Sequence, residues 1–131
     1  MRSKQKALFL ADLARAKNAD DLVILDMKKI SNVTDFSIIM TASSSTRAQA
    51  ISNNIEKGLL EIKDKPLSVE GYREAGWILI DAYDVVAHVF TGGLRDFYNL
   101  ESLWSDAPRI KVCKKKRKKK RITSGKISKR K

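Results

Sequence analysis

The chain is poor in the residues that most chemistry requires. It has one cysteine, Cys113, and one histidine, His88, among its 131 residues. A single thiol forms no internal disulfide and suits a reducing, cytoplasmic setting. There is no HxxxH, no CxxC and no glycine-rich phosphate loop, so metal, thiol and phosphoryl chemistry all lack a pattern to work with. No catalytic residue, metal or cofactor is therefore expected, and the chain does not read as an enzyme. Apolar runs stay far below the roughly 20 residues that span a bilayer. The basic N-terminal residues lack an apolar signal core, so neither a membrane role nor export is expected. Acids are missing from 114–131, which hold 12 of the 27 Lys and Arg residues. Positions 1–113 therefore carry 15 bases and 15 acids, and the formal net charge of +12 resides in the tail.

What is present has the length and the 43% hydrophobic content of one globular domain with a core. Ser3 to Lys17 reads as an amphipathic helix, with Leu10, Leu13, Ala14 and Lys17 at helical spacing beside Phe9. Leu22–Met27 and Phe36–Thr41 are short, β-branched apolar runs and read as strands. Ser43–Ser45 offer N-caps for a long helix whose buried stripe is Ala48, Ile51, Ile55, Leu59 and Ile62. Pro66 closes that helix, and Leu67–Glu70 reads as a short strand. Gly92-Gly93 then precedes a last helix from Leu94 to about Leu103. The order predicts an α/β fold, with a single mixed sheet of about five strands flanked by helices over residues 1–107. Residues 108–131 read as a basic, low-complexity tail, disordered when alone.

The segment between Gly71 and Trp104 carries the most information. Trp77–Ala82 and Val85–Phe90 flank the polar pair Tyr83-Asp84, which is the sequence form of a β-hairpin. If Ala82 pairs with Val85, alternation gathers Ile78, Ile80, Ala82, Val85, Ala87 and Val89 on one wholly apolar face. The opposite face holds Trp77, Leu79, Asp81, Val86, His88 and Phe90. Large aromatics mixed with a carboxylate and an imidazole suit a partner-binding surface better than a core. The competing reading has a helix over Trp77 and Phe90, with Asp81 and His88 as a satisfied buried pair.

This stretch, WILIDAYDVVAHVF followed by RDFYNLESLW, resembles the signature of the Iojap family, the ribosomal silencing factors. Upstream, NVTDFSIIMTASSSTR (Asn32–Arg47) is similar to that family's other distinctive segment. The resemblance extends from about Ala7 to Ser105. It departs from the family at Ala42 and Tyr83, where relatives often have Gly. It implies a compact fold similar to the nucleotidyltransferase core. It also implies docking on the large ribosomal subunit at ribosomal protein L-fourteen, through the sheet and the last helix. By position the partner-binding residues would be Trp77, Asp81, His88, Arg95 and Tyr98. Occupying that surface would block joining of the small subunit and repress translation. The factor would be a monomer on the ribosome, with homodimer formation open when free.

Two other functions remain in view. A minimal nucleotidyltransferase would need an anion-binding turn and paired metal ligands. Ser43–Arg47 lacks the Gly of such a turn, and an ordinary N-cap is the better reading. Asp81 and Asp84 stand three apart across a turn and share no metal geometry. Asp35, in Thr34-Asp35-Phe36, is expected to pin a turn by accepting backbone amides. The second alternative is a large-subunit assembly factor binding rRNA through Lys114, Lys115, Lys116, Arg117, Lys118, Lys119, Lys120 and Arg121. Such a run binds phosphates by counterion release. No aromatic interleaves it, so base stacking is not expected. The tail also reads as a solubility device.

Overall fold

The computed structural model describes residues 1–112. The expectations for Cys113 and the basic run from Lys114 lie outside them. Helix α1 covers Ser3–Arg15, and the strands β1 and β2 follow at Asp20–Asp26 and Phe36–Thr41. The long helix α2 spans Ser45–Glu61, and β3 (Ser68–Glu70), β4 (Trp77–Ala82) and β5 (Val85–Phe90) come next. Two short helices, α3 (Leu94–Tyr98) and α4 (Leu100–Leu103), precede a last strand, β6 (Arg109–Ile110). The six strands form one sheet in the order β3-β4-β5-β2-β1-β6. Only β2 and β5 run parallel, because α2 and the β3–β4 segment form the crossover between them.

The hairpin has the expected register, Ala82 opposite Val85 and Trp77 opposite Phe90. Its apolar face is fully buried from Ile78 to Val89. That face joins Ile24, Phe36, Ile38 and Met40 of the central strands beneath α1 and α2. Helix α2 starts as the hydroxyl run implied: Ser44 Oγ accepts from the Arg47 amide at 3.0 Å. Its stripe of Ala48, Ile51, Ile55 and Leu59 is buried, whereas Ile62 is the exposed C-cap residue. The two helices approach so closely that a Cβ on Gly58 would collide with the Leu13 side chain. Asn54 Nδ2 also donates to the Leu13 carbonyl at 2.8 Å.

Four details depart from the sequence reading. Helix α1 ends at Arg15, and its buried face is Lys6, Ala7, Leu10, Ala11 and Ala14, with Lys17 outside the helix and exposed. Lys6 is buried because three acceptors converge on its ammonium. They are Ala82 O at 2.7 Å, Asp64 Oδ2 at 2.9 Å and Asp84 Oδ1 at 3.1 Å. The sheet has six strands: Arg109–Ile110, in the segment assigned to the tail, pairs with Leu25 and Ile24. The final helix is two pieces, broken at Asn99, whose φ is +45°. Among the described residues no helix is long and apolar enough to cross a membrane.

Candidate functional site

The other face of the sheet is covered by little chain. Leu25, Met27, Ile39 and Phe90 form its floor, and among the described residues α3, α4 and the segment reaching Ala107 lie over them. A ring cluster results. Trp77 is centred 5.0 Å from Phe90 and 4.7 Å from Tyr98, and His88 is 5.9 Å from Trp104. Phe97 meets Tyr98 edge-on at 5.1 Å. The upper layer of this cluster faces solvent, with Phe97 76% and Tyr98 47% exposed. Exposed aromatics on a rigid aromatic base are the composition of an interface core.

The five residues expected to bind a partner separate into different roles. Tyr98 is presented outward, and Trp77 is half-buried beneath it. His88 lies below the surface at 4% exposure, and its Nδ1 accepts from Trp77 Nε1 at 3.2 Å. An indole N–H only donates, so the neutral ring carries its proton on Nε2. Burial lowers the His88 pKa to about 4, so the ring is uncharged at neutral pH. Arg95 does not reach outward. Nε and Nη2 form a fork to Glu101 at 3.0 and 3.2 Å, and Nη1 donates to Thr41 Oγ1 at 2.9 Å. Through these contacts α3 is tied both to α4 and to the end of β2. The Arg95 bonds and charge hold the Glu101 carboxyl below its ordinary range, against the opposing effect of burial.

Asp81 is not paired with His88. Its Oδ1 accepts the Tyr83 amide at 3.0 Å and shapes the hairpin turn. Tyr83 sits there with φ +70°, a conformation that favours Gly. The covered-face reading is thus right for Phe90 and His88 but wrong about the Asp81–His88 pair. Asp35 works through its backbone, donating to Asp84 O at 2.8 Å and accepting from Met27 N at 2.7 Å. The polar side chain that pins this loop is Ser31, whose Oγ accepts from Val33 and Thr34 at 3.2 and 3.1 Å.

Several surface residues escaped the sequence reading. Phe97 and Leu103 project from the small helices, the latter 71% exposed. In the β1–β2 loop, Ile30 and Val33 are 44% and 80% exposed. Two apolar residues within a turn-rich segment were the available signal. Between that loop and Trp104 opens a cleft of about 320 Å³ that reaches down to Ser37, Val86 and His88.

Comparison with known proteins bears on what such a surface serves. The profile of the family described as ribosomal silencing factor during starvation matches residues 1–131. The ribosomal silencing factor of Halalkalibacterium halodurans is 41% identical over 111 residues, 84% of this chain and 95% of its own length. That of Bacillus subtilis is 44% identical over 92 residues, 70% of this chain and 78% of its own. A crystal structure of a Chromobacterium violaceum protein superposes with a TM-score of 0.78 at 28% identity. It covers 80% of this chain and 88% of the other.

Proposed function

The chain belongs to the ribosomal silencing factor family, whose members are ribosome-associated regulators that repress translation, and we propose that it acts by steric occlusion. In this reading it docks on the large subunit at ribosomal protein L-fourteen and occupies the surface that the small subunit would meet. The observation that carries the proposal is the outward layer of Tyr98 and Phe97 resting on Trp77, His88 and Phe90. Large rings with few rotamers lose little entropy on docking, and that is why Trp and Tyr dominate interface hot spots. A standard interface of ~1,600 Å² in total is within reach of this domain.

The five candidate residues act in two tiers. Tyr98 and Trp77 make contact. His88 supports Trp77, Arg95 locks α3 onto Glu101 and Thr41, and Asp81 holds the adjoining hairpin turn. The run from Lys114 to Arg121 adds rRNA phosphate contacts that depend on salt and raise the effective concentration of the domain at its dock. The factor works in the cytoplasm as a monomer on the subunit. The mechanism consists of occupancy alone; no nucleotide, metal or bond chemistry enters it.

Co-sedimentation with salt-washed large subunits tests the contact tier. Tyr98→Ala weakens binding by ~2 kcal/mol, the hot-spot scale, while the fold is retained because the side chain is half in solvent. Unchanged co-sedimentation of Tyr98→Ala would refute the placement of the dock. Preference for precursor over mature subunits would favour the assembly-factor reading instead.

A further inference from the structure

The cleft beside the aromatic cluster has a chemistry of its own. Its walls are apolar, formed by Met27, Ile30 and Trp104, with the half-buried Ser31 and Thr34 beside them, and its polar floor is Ser37 and His88. No side chain of formal charge lines it. Ser37 is 2% exposed and His88 is 4% exposed, so both are nearly withdrawn from water. Nevertheless, among the described residues neither the Ser37 hydroxyl nor His88 Nε2 has a hydrogen-bond partner, and neither atom is sealed off. Both side chains stand on the same face of neighbouring parallel strands, since Ser37 is opposite Val86 and Ile39 opposite His88. Two polar groups thus face one small space, the Nε2–H as a donor and the Ser37 hydroxyl as donor or acceptor. Among the described residues they bond neither each other nor the Ser31 and Thr34 hydroxyls that line the same cleft.

The chemistry restricts what can fill it. An acceptor is needed, because Nε2 carries a proton and cannot accept one. A carboxylate would be buried with no cation beside it, which is unfavourable, so the acceptor is uncharged. The rim narrows the choice further. Ile30 lines the cleft and is 44% exposed, Val33 and Leu103 are exposed chain neighbours of the lining residues Thr34 and Trp104, and a small molecule inside would leave them in water. A protein surface would cover them together with the cleft.

We propose that this cleft is a socket for one uncharged, acceptor-bearing side chain of the protein partner, such as an amide. Its oxygen accepts from Ser37 and His88, and its stem lies against Met27, Ile30 and Trp104. The assignment rests on the docking reading above and extends the dock from the aromatic cluster to the β1–β2 loop. It makes Ser37 a specificity-determining residue although its hydroxyl has no hydrogen-bond partner among the described residues.

The test titrates the full chain and its Ser37→Ala, Thr34→Trp and Tyr98→Ala variants against salt-washed large subunits, with a melting curve for each. Ser37→Ala weakens binding about tenfold with an unchanged melting temperature, because it strips a partner acceptor of its donor but breaks no internal bond. Thr34→Trp, which fills the opening, weakens it further. Full affinity of Ser37→Ala overturns the socket whatever Thr34→Trp does, since bulk at the rim would crowd any partner. A parallel fall in melting temperature also overturns it, by marking a structural role. Loss in Tyr98→Ala alone leaves the docking reading standing without the socket, and no loss in any variant removes both. Loss in Ser37→Ala with Tyr98→Ala unaffected overturns the assignment as stated, since it removes the aromatic dock that the socket extends.

Discussion

His88 shows how one residue links stability to the surface above it. Its pKa is lowered by burial from 6.5 to about 4, so the unfolded chain takes up a proton first as pH falls. The sign follows: the contribution is complete above pH 6.5 and is lost progressively down to about pH 4. The loss is on the order of 3 kcal/mol if the full shift is expressed. Thermal melts between pH 7 and pH 4 should therefore show a steep decline that His88→Gln flattens; parallel slopes for the two proteins would contradict this. Little of the arrangement was legible beforehand. The sequence offered His88 either on a partner-binding face or in a buried pair with Asp81, and here it accepts from Trp77 while lining a cleft. Arg95 stood among the expected partner-binding residues by resemblance alone. A basic residue on a surface helix reads as outward-pointing, and nothing in RDFYNLESLW announces that Glu101 will fold back to take its guanidinium. Lys6 is a third case, drawn inward by Asp64 and Asp84, which are remote in sequence.

Among the elements, the hairpin and α2 were the most legible, because alternation gives the hairpin one wholly apolar face and the three-to-four spacing gives α2 one buried stripe. β6 was illegible: two residues after a proline, entering a basic run, have no period to detect. The break between α3 and α4 was hidden as well, since leucine spacing continues across it and Asn99 is not a strong breaker. Asn99 holds φ +45° and also caps α4, its Oδ1 accepting the Ser102 amide at 3.3 Å. The bend turns α4 so that Glu101 meets Arg95 and Trp104 meets His88. Asn99→Ala should cost about 1 kcal/mol, combining a lost cap with left-handed strain, whereas Asn99→Gly should cost only a few tenths. Chemical denaturation measures both. Equal losses would show that the left-handed bend is not what Asn99 supplies.

At the scale of the molecule, a charge-balanced domain carries one asymmetric feature on each side of its sheet. One face is closed by α1 and α2 over an apolar core, and the other is, among the described residues, covered in part and left aromatic. The net charge lies beyond residue 113, so the proposed recognition and the proposed electrostatic attachment lie on separate parts of the chain. Removing residues 114–131 should flatten the salt dependence of subunit binding while leaving the choice of partner intact. Loss of binding to isolated ribosomal protein L-fourteen on that deletion would contradict the separation. The decisive measurement is sedimentation of purified large and small subunits through a sucrose gradient, with and without the full chain. The account predicts that the chain travels with large subunits and that the joined-ribosome peak shrinks in proportion to occupancy. A joined peak of undiminished size, with the chain bound within it, would contradict occlusion directly.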